Sequence, residues 1–443
     1  MYFAIMENMS TIKAQTLKGF RDFLPDDMVI RRKVINTFIN GFEKYGYEPL
    51  ETPVLEYGEI LLGKYGEEAE KLIYQFEDRG GRKVAMKYDL TVPACRVMAQ
   101  YGEQLPLPFK RYQIQPVWRA DNTQKGRYRE FYQCDADTFG TSSMIADAEF
   151  IQMGIEILQE LGFSDFIARI NNRKFIDGLT QFAGASKQDF YNICIAVDKL
   201  EKIGKEGIIK EMKKRKVNDS VIEKIMEIIS LKGTNNELIE TLLNKMKNIP
   251  TAIEGLNELK ILFSYLSAST ISKEKYRFDL SIIRGLSYYT GPVWEYSINE
   301  GGVGSVAGCG RYDKLVGMYL GRDIPATGGS FGIERIIEIV KERKMINDSQ
   351  EKPVLVTVFS PEYSVNSIQL ADSLRKQGKK VILYPDENNK LEKQLKYANR
   401  KGIPFVIIQG PEEVEKNVLK LKNMQTGEQE TMTVEELIIK LKN

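Results

Sequence analysis

Residues able to do chemistry concentrate between Phe109 and Gly140, where the chain reads FKRYQIQPVWRADNTQKGRYREFYQCDADTFG. The pattern predicts a strand, Phe109–Trp118, a charged loop, Arg119–Arg129, and a second strand, Glu130–Thr138. Antiparallel strands flanking such a loop aim side chains from both into one cleft. Arg119 leaves the first strand beside Asp121, and the loop adds Lys125, Arg127 and Arg129. A guanidinium binds phosphate through two parallel hydrogen bonds, so clustered arginines suit a polyphosphate. The second strand alternates Phe131, Gln133, Asp135 and Asp137 onto one face. Phe131 suits stacking on a base, and Gln133 and Asp137 suit a small polar ligand.

The composition narrows the chemistry further. None of the 443 residues is histidine. That excludes a Ser-His-Asp triad, a His-ligated zinc and imidazole acid–base catalysis. The cysteines, Cys95, Cys134, Cys194 and Cys309, are scattered and form no CxxC pair. They read as small buried side chains in a reducing compartment rather than as metal ligands. What remains is arginine, carboxylate, amide, lysine, tyrosine and backbone. These serve reactions driven by positioning and charge neutralisation, such as those at phosphorus.

The elements that must position these groups follow from periodicity. At roughly 150 residues per domain, the length predicts about three domains. With 42% apolar and 28% charged residues, the composition is that of an ordinary soluble protein. The formal net charge of +2 leaves RNA contact to local patches. No apolar run is long enough for a membrane span, and the first residues lack the pattern of a signal peptide. Met1–Asn8 fit no element, and Met9 is a candidate start. The cytoplasm is the expected location.

Arg31–Tyr45 has helical spacing, with Val34, Ile35, Phe38 and Phe42 on one side. Pro49 and Pro53 restrict the next stretch to an edge or interface strand. Further strands are expected at Val84–Leu90, Arg277–Ile283 and Val293–Ile298, and helices at Ala94–Tyr101, Tyr312–Tyr319 and Phe331–Glu342. Lys174 to about Thr270 reads as a helical insertion, with a capping box at Ser186–Asp189. Lys213–Lys216 reads as a solvated basic helix face, with contact to RNA as the sharper alternative. The Gly-rich run Gly301–Gly310 lacks the GK[ST] of a phosphate loop and suits tight strand packing. After a polar linker, strands at Val354–Phe359, Val381–Tyr384, Phe405–Gln409 and Val418–Lys422 alternate with helices, predicting a small open sheet with parallel pairing. The division is 1–173 and 271–340 for the main domain, 174–270 for the insertion, 341–352 for the linker and 353–443 for the terminal domain.

Six motifs in order resemble the class II aminoacyl-tRNA synthetases, and in detail the histidyl-tRNA synthetase family. Arg31–Tyr57 resembles the first class motif, a helix and Pro-ended strand at a dimer interface. Arg119-Ala-Asp121 with Arg127 and Phe131 resembles the second, and GGSFGIER, Gly328–Arg335, the third. The histidine-specific strings are similar to Tyr88-Asp-Leu-Thr-Val-Pro93, Gln133-Cys-Asp-Ala-Asp137 and Arg284-Gly-Leu-Ser-Tyr-Tyr-Thr-Gly291. Three positions depart from the family pattern: Ser287 replaces the usual aspartate, Cys309 a glycine of AGGGRYD, and Gly329 a common aromatic.

The resemblance implies an α+β fold: a class II antiparallel sheet flanked by helices, a helical insertion and a C-terminal α/β anticodon-binding domain. It implies a homodimer that takes ATP with Mg2+, histidine and tRNA(His), and reads an extra 5′ guanosine near the Arg119–Arg129 loop. Arg119 and Arg284 would act at the α-phosphate. Asp121 and Phe131 would hold adenine, and Arg127 and Arg335 the outer phosphates. Asp89, Thr91 and Gln133 would receive the α-ammonium, and Asp137 and Tyr289, with Tyr288 nearby, the imidazole. Taken alone, Asp89 and Asp137 also fit turn or cap roles, and the tyrosines fit a strand face. Two rival readings share the fold class. One is a non-catalytic, histidine-sensing regulator of ATP phosphoribosyltransferase. The other is a class II synthetase for another amino acid.

Overall fold

The computed structural model describes residues 13–63, 70–123, 127–197, 199–282, 288–298, 304–346 and 352–440. The chain divides into two units, Met1–Ile346 and Asn347–Asn443.

In the first unit the strands are β1 (Glu48–Pro49), β2 (Leu55–Tyr57), β3 (Gln75–Glu77), β4 (Lys83–Met86), β5 (Phe109–Trp118), β6 (Glu130–Phe139), β7 (Phe166–Asn172), β8 (Tyr276–Phe278), β9 (Pro292–Ile298), β10 (Ser305–Arg311) and β11 (Ala326–Phe331). Eight form one sheet in the order β1-β5-β6-β11-β10-β9-β7-β8. Its six central strands pair antiparallel, and parallel pairs close both edges. Pro116 is tolerated in β5 because β1 pairs only with Arg111 and Tyr112 on that side, and the next backbone bond there, from Trp118 N–H to the Lys87 carbonyl, lies beyond it. β2, β4 and β3 form a separate small sheet.

The two faces of the large sheet have opposite character because strand side chains alternate. One face packs on the helices Pro25–Lys44 and Met144–Glu160. Its centre is aromatic: Phe331 meets Phe150 at 6.1 Å and Tyr296 at 5.6 Å between ring centroids. Gly154 permits this, since a Cβ there would lie 2.2 Å from the Tyr296 hydroxyl. The other face carries the polar residues of β5 and β6.

Several boundaries differ from the sequence reading. The first helix begins at Pro25, not Arg31, with proline preset for a first turn that also holds Asp26 and Asp27. The strand expected at Val84–Leu90 stops at Met86, because Asp89 accepts from the Val92 N–H at 3.0 Å and caps the helix Thr91–Tyr101. The helix expected at Tyr312–Tyr319 shrinks to Gly317–Leu320. Asp313 is drawn instead into a tie between strands: its N–H donates to the Thr290 hydroxyl and its carboxylate accepts from Ala326 N–H.

Six helices run from Arg173 to Ala268, and the expected box at Ser186–Asp189 is present, with reciprocal bonds of 3.0 and 3.1 Å. Their apolar side chains, among them Ile225 and Leu259, continue the buried core of the sheet without a break. Lys213, Lys214 and Lys216 are exposed.

The second unit holds β12 (Val354–Val356), β13 (Val381–Leu383), β14 (Phe405–Ile408), β15 (Leu419–Asn423) and β16 (Gln429–Met432), in the order β13-β12-β14-β15-β16. The expectation of parallel pairing holds for the first three strands and fails for the rest. β15 runs antiparallel to β14 and β16 to β15. Between Ile408 and Leu419 lies only one short helix, Pro411–Glu415, and a parallel crossover needs a dozen or more residues. A cap closes the start of the last helix, with Thr433 N–H donating to Glu436 at 2.8 Å.

Candidate active site

β5 and β6 pair in a register that sets Arg111 opposite Asp137, Gln113 opposite Asp135, Gln115 opposite Gln133 and Val117 opposite Phe131. These pairs line the polar face. Over its Phe131 end lies a cavity of about 450 Å³. Its wall includes Arg119, Asp121, Arg127, Phe131, Gln133 and Arg335, together with Tyr88, Tyr128, Ser330 and Glu334.

Arg119 is held rather than free to swing. Its Nε donates to the Tyr88 carbonyl at 3.0 Å, and the guanidinium lies 4.3 Å from the Tyr88 ring centroid and 5.1 Å from that of Phe131. Arg335, in the first turn of the helix Ile333–Glu342, is fixed by a 2.8 Å bond from Nη1 to the Ser305 carbonyl. Arg127 is exposed at the mouth.

The anchor of this arrangement is Glu334, to which the sequence reading assigned no role. Its carboxylate accepts from Arg31 at 2.6 and 2.9 Å, from Arg21 at 2.8 Å and from the Tyr132 N–H at 3.2 Å. Burial alone would raise its pKa. The Arg31 hydrogen bond and charge, with Arg21 behind, outweigh that and hold it below the ordinary value. Glu334 thereby ties the helix bearing Arg335 to the strand bearing Phe131.

Farther along the polar face the site becomes closed and charged. Arg111 and Asp137 form an ion pair at 2.5 Å with side-chain exposures of 0% and 3%. The Tyr312 hydroxyl donates to Asp137. Tyr288 meets Tyr289 and Tyr312 at 4.8 and 6.0 Å between centroids. Burial raises the Asp137 pKa, and Arg111 and the Tyr312 hydrogen bond oppose it. Two glycines form the floor. Gly310 sits under the Tyr289 ring, and a Cβ on Gly328 would lie 2.2 Å from Asp137 Oδ1 and 2.3 Å from the Ala136 carbonyl. Gly328→Ala is therefore expected to destabilise the fold by about 1–3 kcal/mol, the usual range for overpacking. Thermal denaturation checks this; an unchanged melting temperature would show the neighbours giving way at no expense.

The structure thus gathers Arg119, Asp121, Arg127, Phe131, Gln133 and Arg335 around one cavity. Asp137, Tyr288 and Tyr289 are not part of that wall: farther along the same face Tyr312 joins Asp137 to the tyrosine pair, and Asp89 and Thr91 lie at the start of the neighbouring helix. Arg284 and Ser287 lie outside the described residues. Arg111, Tyr312, Ser330 and Glu334 were not singled out from sequence. Only the register exposes Arg111, and an 11-residue loop from Arg119 to Arg129 specifies no unique register.

Two departures from the family pattern prove to be one. Cys309 pairs with Gly329 across β10 and β11, and a Cβ on Gly329 would lie 2.4 Å from the Cys309 sulfur. The two side chains would compete for one space, so a cysteine at 309 goes with a residue that has no side chain at 329. Cys309 belongs to the helix-covered core, so the exchange leaves the polar face untouched.

A family model described as Histidyl-tRNA synthetase matches residues 19–336, and one described as Anticodon binding domain matches 353–443. The chain is 38% identical to Histidine--tRNA ligase of Cytophaga hutchinsonii, over 96% of this chain and 98% of the relative. It is 39% identical to the Clostridium tetani enzyme of the same name, over 98% and 99%. The solved histidyl-tRNA synthetase of Nostoc sp. PCC 7120 superimposes with a TM-score of 0.84 at 30% identity, covering 98% of this chain and 99% of that one. Sheet and cavity define the catalytic unit of a class II aminoacyl-tRNA synthetase. The chain belongs to the histidyl-tRNA synthetase family.

Proposed function

We propose that this chain activates histidine with ATP and transfers it to tRNA(His), and that the cavity and the charged cluster farther along the same sheet face are where activation occurs. The observation that carries the reading is that Arg119 and Arg335 face one cavity while the Arg111–Asp137–Tyr312 cluster lies on the same sheet face, with Gln133 between. ATP would lie over Phe131, with Asp121 accepting from the adenine amino group and Arg127 and Arg335 on the outer phosphates. Asp89, Thr91 and Gln133 would take the α-ammonium. Asp137, with Tyr288 and Tyr289, would take the imidazole.

The histidine carboxylate attacks the α-phosphorus in line. A carboxylate–phosphorus bond forms, the bond to the bridging oxygen breaks, and pyrophosphate leaves with that electron pair. Arg119, joined by Arg284, neutralises the charge that accumulates on the α-phosphoryl oxygens. A 3′-terminal ribose hydroxyl then attacks the acyl carbonyl and AMP departs. Neither step requires an imidazole base, in keeping with a chain that contains none. For the same reason its own synthesis does not draw on the aminoacyl-tRNA it makes. Among the described residues no group of three or more acidic or cysteine side chains is placed to hold a metal. Mg2+ would accordingly be carried largely by the phosphates of ATP, where it neutralises charge.

Residues 353–443 would bind the anticodon, joined by the linker 341–352 to the catalytic parts 1–173 and 271–340, between which 174–270 is the helical insertion. A homodimer is supported by exposed apolar side chains on the small sheet, Leu55, Tyr57 and Phe76, beside Val54. No helix among the described residues is long and apolar enough to cross a membrane. We place the enzyme in the cytoplasm, with the ATP and tRNA it would use.

Amino-acid-dependent ATP–pyrophosphate exchange tests the function. Exchange with histidine alone is the expected result. No exchange with any amino acid would favour the regulatory reading, and exchange with a different one would favour a synthetase of other specificity.

A further inference from the structure

One carboxylate on the polar face has no part in the roles above. Asp135 is 1% exposed and lies on β6 between Gln133 and Asp137, opposite Gln113 on β5 and Ser330 on β11. Gln133 Nε2 donates to the Ser330 hydroxyl oxygen at 3.1 Å, and that hydroxyl hydrogen-bonds Asp135. A serine hydroxyl has a single hydrogen. Given to the Asp135 carboxylate, it leaves the Ser330 oxygen as an acceptor, which turns the amide nitrogen of Gln133 toward it. The carbonyl end of Gln133 must then face the other way.

That end is unsatisfied. Among the described residues, Gln133 Oε1 and Asp135 Oδ1 are buried acceptors without a hydrogen-bond partner. Native proteins seldom leave such atoms orphaned, and two at neighbouring positions on one face point to an absent donor. The local charge gives that donor a sign. Asp89 and Asp137 both act on Asp135, and Arg111 on β5 is the cation that opposes them. The thiol of Cys134, on the opposite face of β6, is a further titratable neighbour. Among the described residues, Asp135 thus feels two carboxylates and one guanidinium. Burial first, and then the Asp137 charge, push Asp135 up to about 7. A cation arriving nearby would favour its ionised form.

We propose that Asp135 is a positioning residue for the substrate's α-ammonium: through Ser330 it orients Gln133 so that Oε1 accepts from the ammonium, and its own charge favours a cation there. This deepens the histidine-activating reading and rests on Gln133 being an ammonium acceptor. It predicts selectivity for the protonated amine that removing Asp135 would erase.

The test is exchange kinetics on the full-length enzyme, with histidine as substrate and 3-(imidazol-4-yl)propionate, which lacks the amine, as competitive inhibitor. Asp135→Asn keeps the shape and removes the charge. We expect the histidine KM to rise about tenfold or more, with kcat changed by less than about threefold and the ATP KM unaltered. Inhibition by the des-amino compound should stay as in the unaltered enzyme. Ser330→Ala should act in the same direction. An unchanged histidine KM would overturn the proposal, as would equal weakening of histidine and the des-amino compound, the mark of a collapsed pocket. Should Asp135→Asn fail to fold, Ser330→Ala decides by the same two readouts. If the unaltered enzyme shows no histidine-driven exchange, the histidine reading itself fails, which separates the two ideas.

Discussion

Arg119→Ala is expected to lower histidine-dependent ATP–pyrophosphate exchange by about 10²–10³-fold, the range seen when one preorganised donor to a developing oxyanion is removed. The size of the effect comes from preorganisation. The Tyr88 carbonyl holds Nε at 3.0 Å, and the rings of Tyr88 and Phe131 confine the guanidinium plane. The side chain therefore does not have to be ordered when charge builds on the phosphoryl group. Arg119→Lys should recover little, because an ammonium is a point charge and cannot keep the Nε contact while presenting further N–H groups. The lost cation–π contacts are worth only about 0.5–1 kcal/mol each at a partly exposed site, so the melting temperature should change little. Exchange within about tenfold of the unaltered rate in Arg119→Ala would remove Arg119 from the reaction centre.

Asp137→Ala is expected to damage both the fold and specificity. Arg111 is fully buried and stays charged at any accessible pH, so deleting its partner strands a guanidinium away from water. Breaking a buried pair in this way costs about 3–5 kcal/mol. Asp135 is close enough to act on Arg111, which places the expected loss near the lower end of that range. Tyr312 would lose its acceptor at the same time. Denaturant unfolding measures the stability change. Asp137→Asn preserves shape while removing the charge that would read an imidazole N–H, and it too leaves Arg111 without its counter-charge. Its histidine-driven exchange should fall by about 10⁴-fold, the scale on which sites built for a polar partner discriminate. In Arg111→Met combined with Asp137→Asn, much of the lost stability should return without activity. An Asp137→Asn enzyme with near-normal histidine exchange would show that another group reads the ring.

The Arg111–Asp137 cluster also shows where sequence reasoning stops. The strand pair Phe109–Trp118 and Glu130–Phe139 was legible because alternation and a charged loop are local signals. The face bearing Phe131, Gln133, Asp135 and Asp137 followed from the two-residue period alone. Which residues of β5 stand opposite them did not, because a long loop permits many registers. The C-terminal unit failed in a related way: four strands were legible, but β16, an exposed strand with little apolar pattern, was not, and pairing direction past Ile408 depended on connection length.

By itself the sequence determined the strand–loop–strand at the site, the absence of imidazole chemistry and the identity of the arginines and carboxylates, since each is written in residue type and short spacing. Tertiary structure alone decided that Glu334 ties two motifs together, that Cys309 and Gly329 are one exchange, and that Asp135 is poised against Gln133 through Ser330. Those facts depend on contacts between residues up to 303 positions apart, as in the Arg31–Glu334 bond. Burial then converts such contacts into energy, because a charge or hydrogen bond removed from water acts at low dielectric, and no local pattern in the chain encodes which groups will be so removed.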